Sequence, residues 1–173
     1  MSTINLTKPT INLSKGQKIS LAKECPELRK VMVGLGWKQA ERYEERTIQP
    51  GFFGKMFGAQ PHTERVRTGS DAEYDLDNVP ASVNKIEIFV CIYNGRQRNQ
   101  SFKNISKMFI RLVDMSNGHE VCRYADDTIC TEFGNCITLH FGELVRTAGG
   151  WEFTAIGRGT NDKNIAEFAK KYM

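Results

Sequence analysis

Residues 108–124 read MFIRLV-DMSNGH-EVCRY. The first six form an apolar, partly β-branched run with the composition of a strand. Residues 114–119 are turn formers with Asn117-Gly118 at their centre, and residues 120–124 return as a second strand, so the segment predicts a β-hairpin. Downstream, residues 137–145 and 151–157 make a second such pair around Ala148-Gly149-Gly150. Upstream, residues 84–93 (NKIEIFVCIY) alternate and then run continuously apolar, as a central strand does, and Asn94-Gly95 closes them with a turn dipeptide. Residues 96–107 are polar with Phe102 and Ile105 three apart, which predicts one or two helical turns. Residues 162–173 place Ile165, Phe168, Ala169 and Tyr172 at helical spacing. Short strands with a turn signal every ten residues or so predict an all-β protein, a β-sandwich with a short C-terminal helix.

The N-terminal third carries weaker signals. A short echo, INLTK at residues 4–8 and INLSK at 11–15, is split by Pro9 and followed by Gly16, and residues 18–21 alternate. This predicts a hairpin or two paired extended pieces. Residues 28–37 (LRKVMVGLGW) form a strand in which Gly34 and Gly36 point to close backbone approach or a bulge. A phosphate cradle needs a third glycine opening a helix, and there is none. Residues 38–68 change character. A charged block, KQAERYEER, reads as a short helical turn over Gln39 to Arg46, and the cluster Phe52, Phe53, Met56 and Phe57 follows between Gly51 and Gly58. This span reads as a divergent loop or insert within a single domain covering residues 1–173, its aromatic cluster either tucked onto the core or offered to a partner.

Composition narrows the function classes. The 173 residues suit one domain, and 24 basic against 20 acidic side chains give a net charge of +4 with the signs interspersed. No Lys/Arg run is interleaved with a stacking motif, so no nucleic acid is expected as a partner. No stretch approaches the roughly 20 apolar residues of a membrane-spanning helix, and residues 1–18 lack a signal-peptide core, so the expected location is cytoplasmic. The five cysteines, Cys25, Cys91, Cys122, Cys130 and Cys136, are odd in number and show no C-x-x-C pair. Cys91 reads as a small buried hydrophobe, whereas Cys130 and Cys136 flank a short segment and would meet in one hairpin. The histidines His62, His119 and His140 show no paired zinc spacing, and no serine carries a nucleophile signature. Glu132 and Glu143 are two carboxylates that nothing in the spacing selects as an acid–base pair.

Seven segments, taken in order, resemble the TerD family of bacterial tellurium-resistance and stress proteins. They are INLSKGQKISL (11–21), VMVGLGW (31–37), VPASVNKI (79–86), RNQSF (98–102), FIRLVD (109–114), FGEL (141–144) with Arg146, and WEFTAIGRG (151–159). The resemblance implies a β-sandwich, a cytosolic or membrane-peripheral location, and a role in resistance to tellurite and other chemical stress. It also implies calcium as cofactor, held by acidic loops, and work as a binding module without catalysis. Its partners would be other stress-response proteins or family members, with the inner membrane surface as a further place of contact.

The chain departs from that pattern where the family carries its acidic run after the Gly-Leu-Gly-Trp strand. Here Trp37 leads into Lys38 and Gln39, and the later run is reduced to Asp71, Glu73, Asp75 and Asp77 at alternate positions. Asp126 and Asp127 add two carboxylates in a later loop. Calcium needs about six to eight converging oxygens, so the expectation is a shortened variant whose metal residues are Asp71, Glu73, Asp75, Asp77, Asp126 and Asp127 and whose calcium binding is weakened or lost. Two rival readings stand beside it. One is a small thiol- or metal-dependent enzyme using Cys136 and His140, which share strand parity with Thr138. The other is a structural subunit that offers an open sheet edge to a family member.

Overall fold

The structure, a computed structural model, describes residues 8–39, 45–48, 62–65, 69–162 and 165–170. In chain order it comprises β1 (Ile11–Leu13), β2 (Lys18–Ser20), α1 (Leu21–Glu24), β3 (Lys30–Gln39), β4 (Glu45–Ile48), β5 (His62–Arg65), β6 (Gly69–Asp75) and β7 (Lys85–Cys91). A single 3-10 turn (Phe102–Asn104) then precedes β8 (Ile105–Asp114), β9 (Glu120–Asp126), α2 (Ile129–Glu132), β10 (Thr138–Thr147), β11 (Gly150–Thr160) and α3 (Ile165–Ala169). One sheet has the order β1-β9-β8-β3-β6 and the other β2-β11-β10-β7, while β4 and β5 pair as a separate ribbon. The protein is all-β with small helices, as the strand and turn signals predict.

The two sheets share one core because alternate residues of each strand are apolar. Val31 and Val33 of β3, Met108, Ile110 and Leu112 of β8, and Tyr124 of β9 are buried from the first sheet. Leu139, Phe141 and Leu144 of β10 and Phe153 and Ala155 of β11 are buried within the same cluster. Each large apolar side chain so buried contributes about 1.5–3 kcal/mol. Outside the strands, Phe102 is fully buried in a single 3-10 turn, while Ile105 to Lys107, part of the span expected to be helical, open β8 instead. Arg146 fastens the residues before β7. Its guanidinium lies 4.5 Å over the Trp151 ring and donates to the carbonyls of Val79 (2.9 Å), Pro80 (3.3 Å) and Val83 (3.2 Å).

Several local expectations are corrected. β1 and β2 do not pair with each other. β1 runs parallel to β9, and β2 antiparallel to β11 in the opposite sheet. Gly16, at φ +81°, turns the chain between the layers, so the two pieces belong to different sheets. β7 is an edge strand, not a central one. Its continuous apolar run is still explained by burial on both faces: Ile88 enters the core, while Phe89, on the outer face, is covered by His140 and by Phe168 of α3. The expected helical turn from Gln39 to Arg46 gives way to strand at both ends, Gln39 closing β3 and Glu45 and Arg46 opening β4, whose cross-strand pairs with β5 override the charged pattern. The cluster Phe52, Phe53, Met56 and Phe57 lies outside the described residues. The close approach expected at Gly34 and Gly36 is present, since a Cβ on Gly36 would stand 2.2 Å from the Phe109 ring, and the β3–β8 register shifts beside it.

Candidate functional site

The six acidic residues read from the sequence fall into two separate places. Asp71, Glu73 and Asp75 alternate along β6, and Asp77 follows in the turn. Asp126 closes β9, and Asp127 follows it. β3 and β8 lie between β6 and β9, three interstrand steps of about 4.8 Å. Along the strands, Asp75 opposite Lys30 and Asp126 opposite Met108 sit at different ends, with Asp71, opposite Gly34, between these levels.

Several of these carboxylates have protein partners. Asp75 accepts from the Asn78 amide at 3.0 Å and pairs with Lys30 at 3.4 Å, and the Asn78 bond above all holds its carboxyl below the usual range. Asp77 pairs with Arg29 at 3.6 Å. Asp126 accepts from Thr128 and from the Tyr124 hydroxyl at 2.8 Å; burial works to raise its pKa, but these bonds outweigh it and leave it lowered. Calcium asks for a ring of converging oxygens, and the separation of the two groups does not fit one cradle made from all six. A row of charges on the terminal strand of a sheet has a second physical use: it discourages pairing with another chain.

The thiol arrangement differs from the sequence reading. Cys130 belongs to α2, and Cys136 lies in the turn that enters β10, where its N–H donates to Phe133, so a helix rather than a hairpin separates them. Burial pushes the Cys130 and Cys136 thiols up, away from the thiolate form. Cys136 packs against the core, whereas His140 turns outward onto Phe89. Glu132 pairs with Lys15 at 2.9 Å and Glu143 with Lys85 at 3.1 Å, so neither works as a partner for the other.

Instead, the described residues gather ligand-type side chains on the outer face of the four-stranded sheet. Glu87, His140 and Glu143 each bring one ligand atom within 4.8 Å of the others. A bulge makes this possible. Along β10, His140 stands opposite Phe89 and Gly142 opposite Ile88, so Phe141 is an extra residue. Phe141 fills the core with 0% exposure, and Gly142 follows on the same side, where a Cβ would sit 2.7 Å from the Phe153 ring. Two successive residues can share the inner face because one of them is glycine. Beyond the bulge the alternation is inverted, and Glu143, three positions from His140, joins it on the outer face opposite Glu87.

Phe89 and Phe168 cover the imidazole, with ring centroids 4.4 Å and 6.2 Å away. Burial pushes the His140 pKa down, while the charges of Glu87 and Glu143 and a main-chain hydrogen bond with Gly142 act the other way. Lys85 lies against both carboxylates, 3.1 Å from Glu143 and 3.9 Å from Glu87. The one sequence signal for this place is Phe141-Gly142 in mid-strand, a pair that suits a bulge.

Residues 10–52 and 55–172 match the family described as TerD domain. The chain is 33% identical over 177 residues to tellurium resistance protein TerD of Serratia marcescens, covering 87% of this chain and 91% of that protein. It is 29% identical over 206 residues to stress response protein SCP2 of Bacillus subtilis, covering 94% and 99% respectively. The fold is also similar to the crystal structure of a homologue of telluride resistance protein (TerD) from Streptomyces coelicolor A3(2), with a TM-score of 0.51 at 16% identity over 80% of this chain and 94% of that one.

Proposed function

This chain belongs to the TerD family, and from that membership we propose that it is a non-enzymatic binding protein of the cytoplasmic stress response, contributing to resistance to tellurite and other chemical stress. The observation that carries the reading is the family match along nearly the whole length, together with relatives named for tellurium resistance and stress response. The non-enzymatic part is supported by the candidate nucleophile. A thiolate–imidazolium couple would need the Cys136 thiol lowered and His140 charged, and burial acts on both in the opposite sense.

Calcium binding, in this reading, is weakened. What supports it is the division of the six carboxylates between β6 and the end of β9 and the engagement of Asp75, Asp77 and Asp126 with protein partners. The partners are other stress-response proteins or family members, with contact at the inner membrane surface as part of the same reading. Among the described residues no helix is long and apolar enough to cross a membrane.

Two experiments test the reading. Expression of the full chain in a tellurite-sensitive bacterium is expected to raise the tolerated tellurite concentration severalfold over an empty vector, and unchanged sensitivity would overturn the stress role. Calorimetric titration with calcium is expected to find no site tighter than about 10⁻⁴ M. A tighter site abolished by Asp71→Asn or Asp126→Asn would show instead that the acidic residues still form a working cradle.

A further inference from the structure

The geometry points to a site for a divalent transition-metal ion of the zinc or cobalt type, built from Glu87, His140 and Glu143 on the outer face of the four-stranded sheet. Two independent observations carry it. The first is the convergence of one imidazole nitrogen and two carboxylate oxygens within 4.8 Å. The second is the state of the histidine itself. His140 is 9% exposed, and its Nε2 is buried without any hydrogen-bond partner. A buried polar atom left unsatisfied costs about 1–3 kcal/mol, and a metal bond made at Nε2 would remove that cost.

The donor set selects the class of ion. One imidazole and two carboxylates suit zinc, cobalt and their neighbours, whereas calcium calls for an all-oxygen shell of higher number. Three protein ligands leave the fourth tetrahedral position open to water or to a group from a partner. The carboxylates provide access, since the side chains of Glu87 and Glu143 are 16% and 18% exposed.

Tetrahedral zinc holds its ligands about 3.3 Å apart, given bonds of about 2.0–2.1 Å. Glutamate torsions must therefore draw the three atoms inward by about 1 Å. Lys85 competes for the same carboxylates, with its ammonium 3.1 Å from Glu143 and 3.9 Å from Glu87. Its tether lets it swing to solvent when a doubly charged ion arrives. This site is distinct from β6 and Asp126, so it stands or falls independently of the calcium reading.

Cobalt(II) titration of the full chain, with thiols kept reduced, tests the proposal. The expected result is one equivalent bound with Kd below about 100 µM, visible d–d absorption of a tetrahedral ion, and no thiolate-to-cobalt charge-transfer band. His140→Gln and Glu143→Gln should each weaken binding at least about tenfold, and Lys85→Met should tighten it severalfold. Circular dichroism on each variant separates ligand loss from unfolding, and the partly exposed Glu143 serves as the second ligand variant should His140→Gln destabilise the fold. Absence of binding below about 1 mM, affinity unchanged in the folded Glu143→Gln variant, or a charge-transfer band that disappears with Cys130→Ser or Cys136→Ser would overturn it.

Discussion

His140 lies nearly flat on Phe89, with ring centroids 4.4 Å apart and planes inclined by 24°, and Phe168 covers the same Phe89 ring at 4.0 Å. The short C-terminal helix is thus the lid over the edge strand β7. Phe168→Ala is expected to destabilise the protein by about 3 kcal/mol in urea unfolding. Because burial is the largest influence holding the imidazole pKa down, the same variant should move the His140 titration, followed by NMR, upward toward the ordinary value of about 6.5. A destabilised variant with an unmoved titration would mean that the helix does not desolvate the ring.

Gly157 sits at φ +60° beneath Tyr124, and an added Cβ would meet the phenol oxygen at 2.1 Å. Gly157→Ala combines a left-handed backbone, about 1–2 kcal/mol, with a clash against a fully buried ring. A total loss of about 2–4 kcal/mol is expected. Tyr124→Phe in the same chain should relieve the steric share and leave the backbone share, giving a favourable coupling in a double-mutant cycle.

Arg146 reaches three carbonyls of residues 79–83 while stacking on Trp151. A lysine keeps the charge but loses the planar fork and the stacking. Arg146→Lys is expected to cost about 1–2 kcal/mol and to increase hydrogen exchange at residues 79–86. Equal protection in both proteins would show that this segment holds itself in place.

Glu120 takes two bonds from Arg123, at 2.7 Å and 2.9 Å, and Arg123 in turn lies 4.3 Å over the Phe109 ring. The Arg123 hydrogen bonds, ahead of the opposing effect of burial, hold the Glu120 carboxyl below its ordinary value. A carboxyl lowered by folding adds stability above its unfolded pKa of about 4.3, and that stability is lost as pH falls through the folded value. Glu120→Gln should therefore lose stability at pH 7, and its difference from wild type should shrink below about pH 4, as measured by denaturant midpoints across the pH range.

Strand identity was legible wherever alternation and a turn dipeptide coincided. The Asn117-Gly118 hairpin and the β10–β11 pair around Gly149-Gly150 are where the residues place them, and Phe168 is buried as its helical spacing implies. Sheet membership was less legible. Residues 11–13 and 18–20 look like partners, yet they serve opposite layers, because a three-residue strand gains more from the edge of a formed sheet than from another short strand. β7 reads as central because a helix covers its outer face, and local pattern cannot distinguish a sheet neighbour from a lid.

The candidate metal cluster shows where local reading stops. By alternation alone, His140 and Glu143 point to opposite faces of β10, and His140 falls in with Thr138 and Cys136. Residue types and their order were sufficient for an all-β fold, for membership of the TerD family and for the thinning of its acidic run. The meeting of Glu87, His140 and Glu143 needed the packed molecule. The bulge at Phe141-Gly142 exists because the Phe141 and Phe153 rings must share the space between two sheets, and that is a constraint of volume across the core, which no one-dimensional period contains.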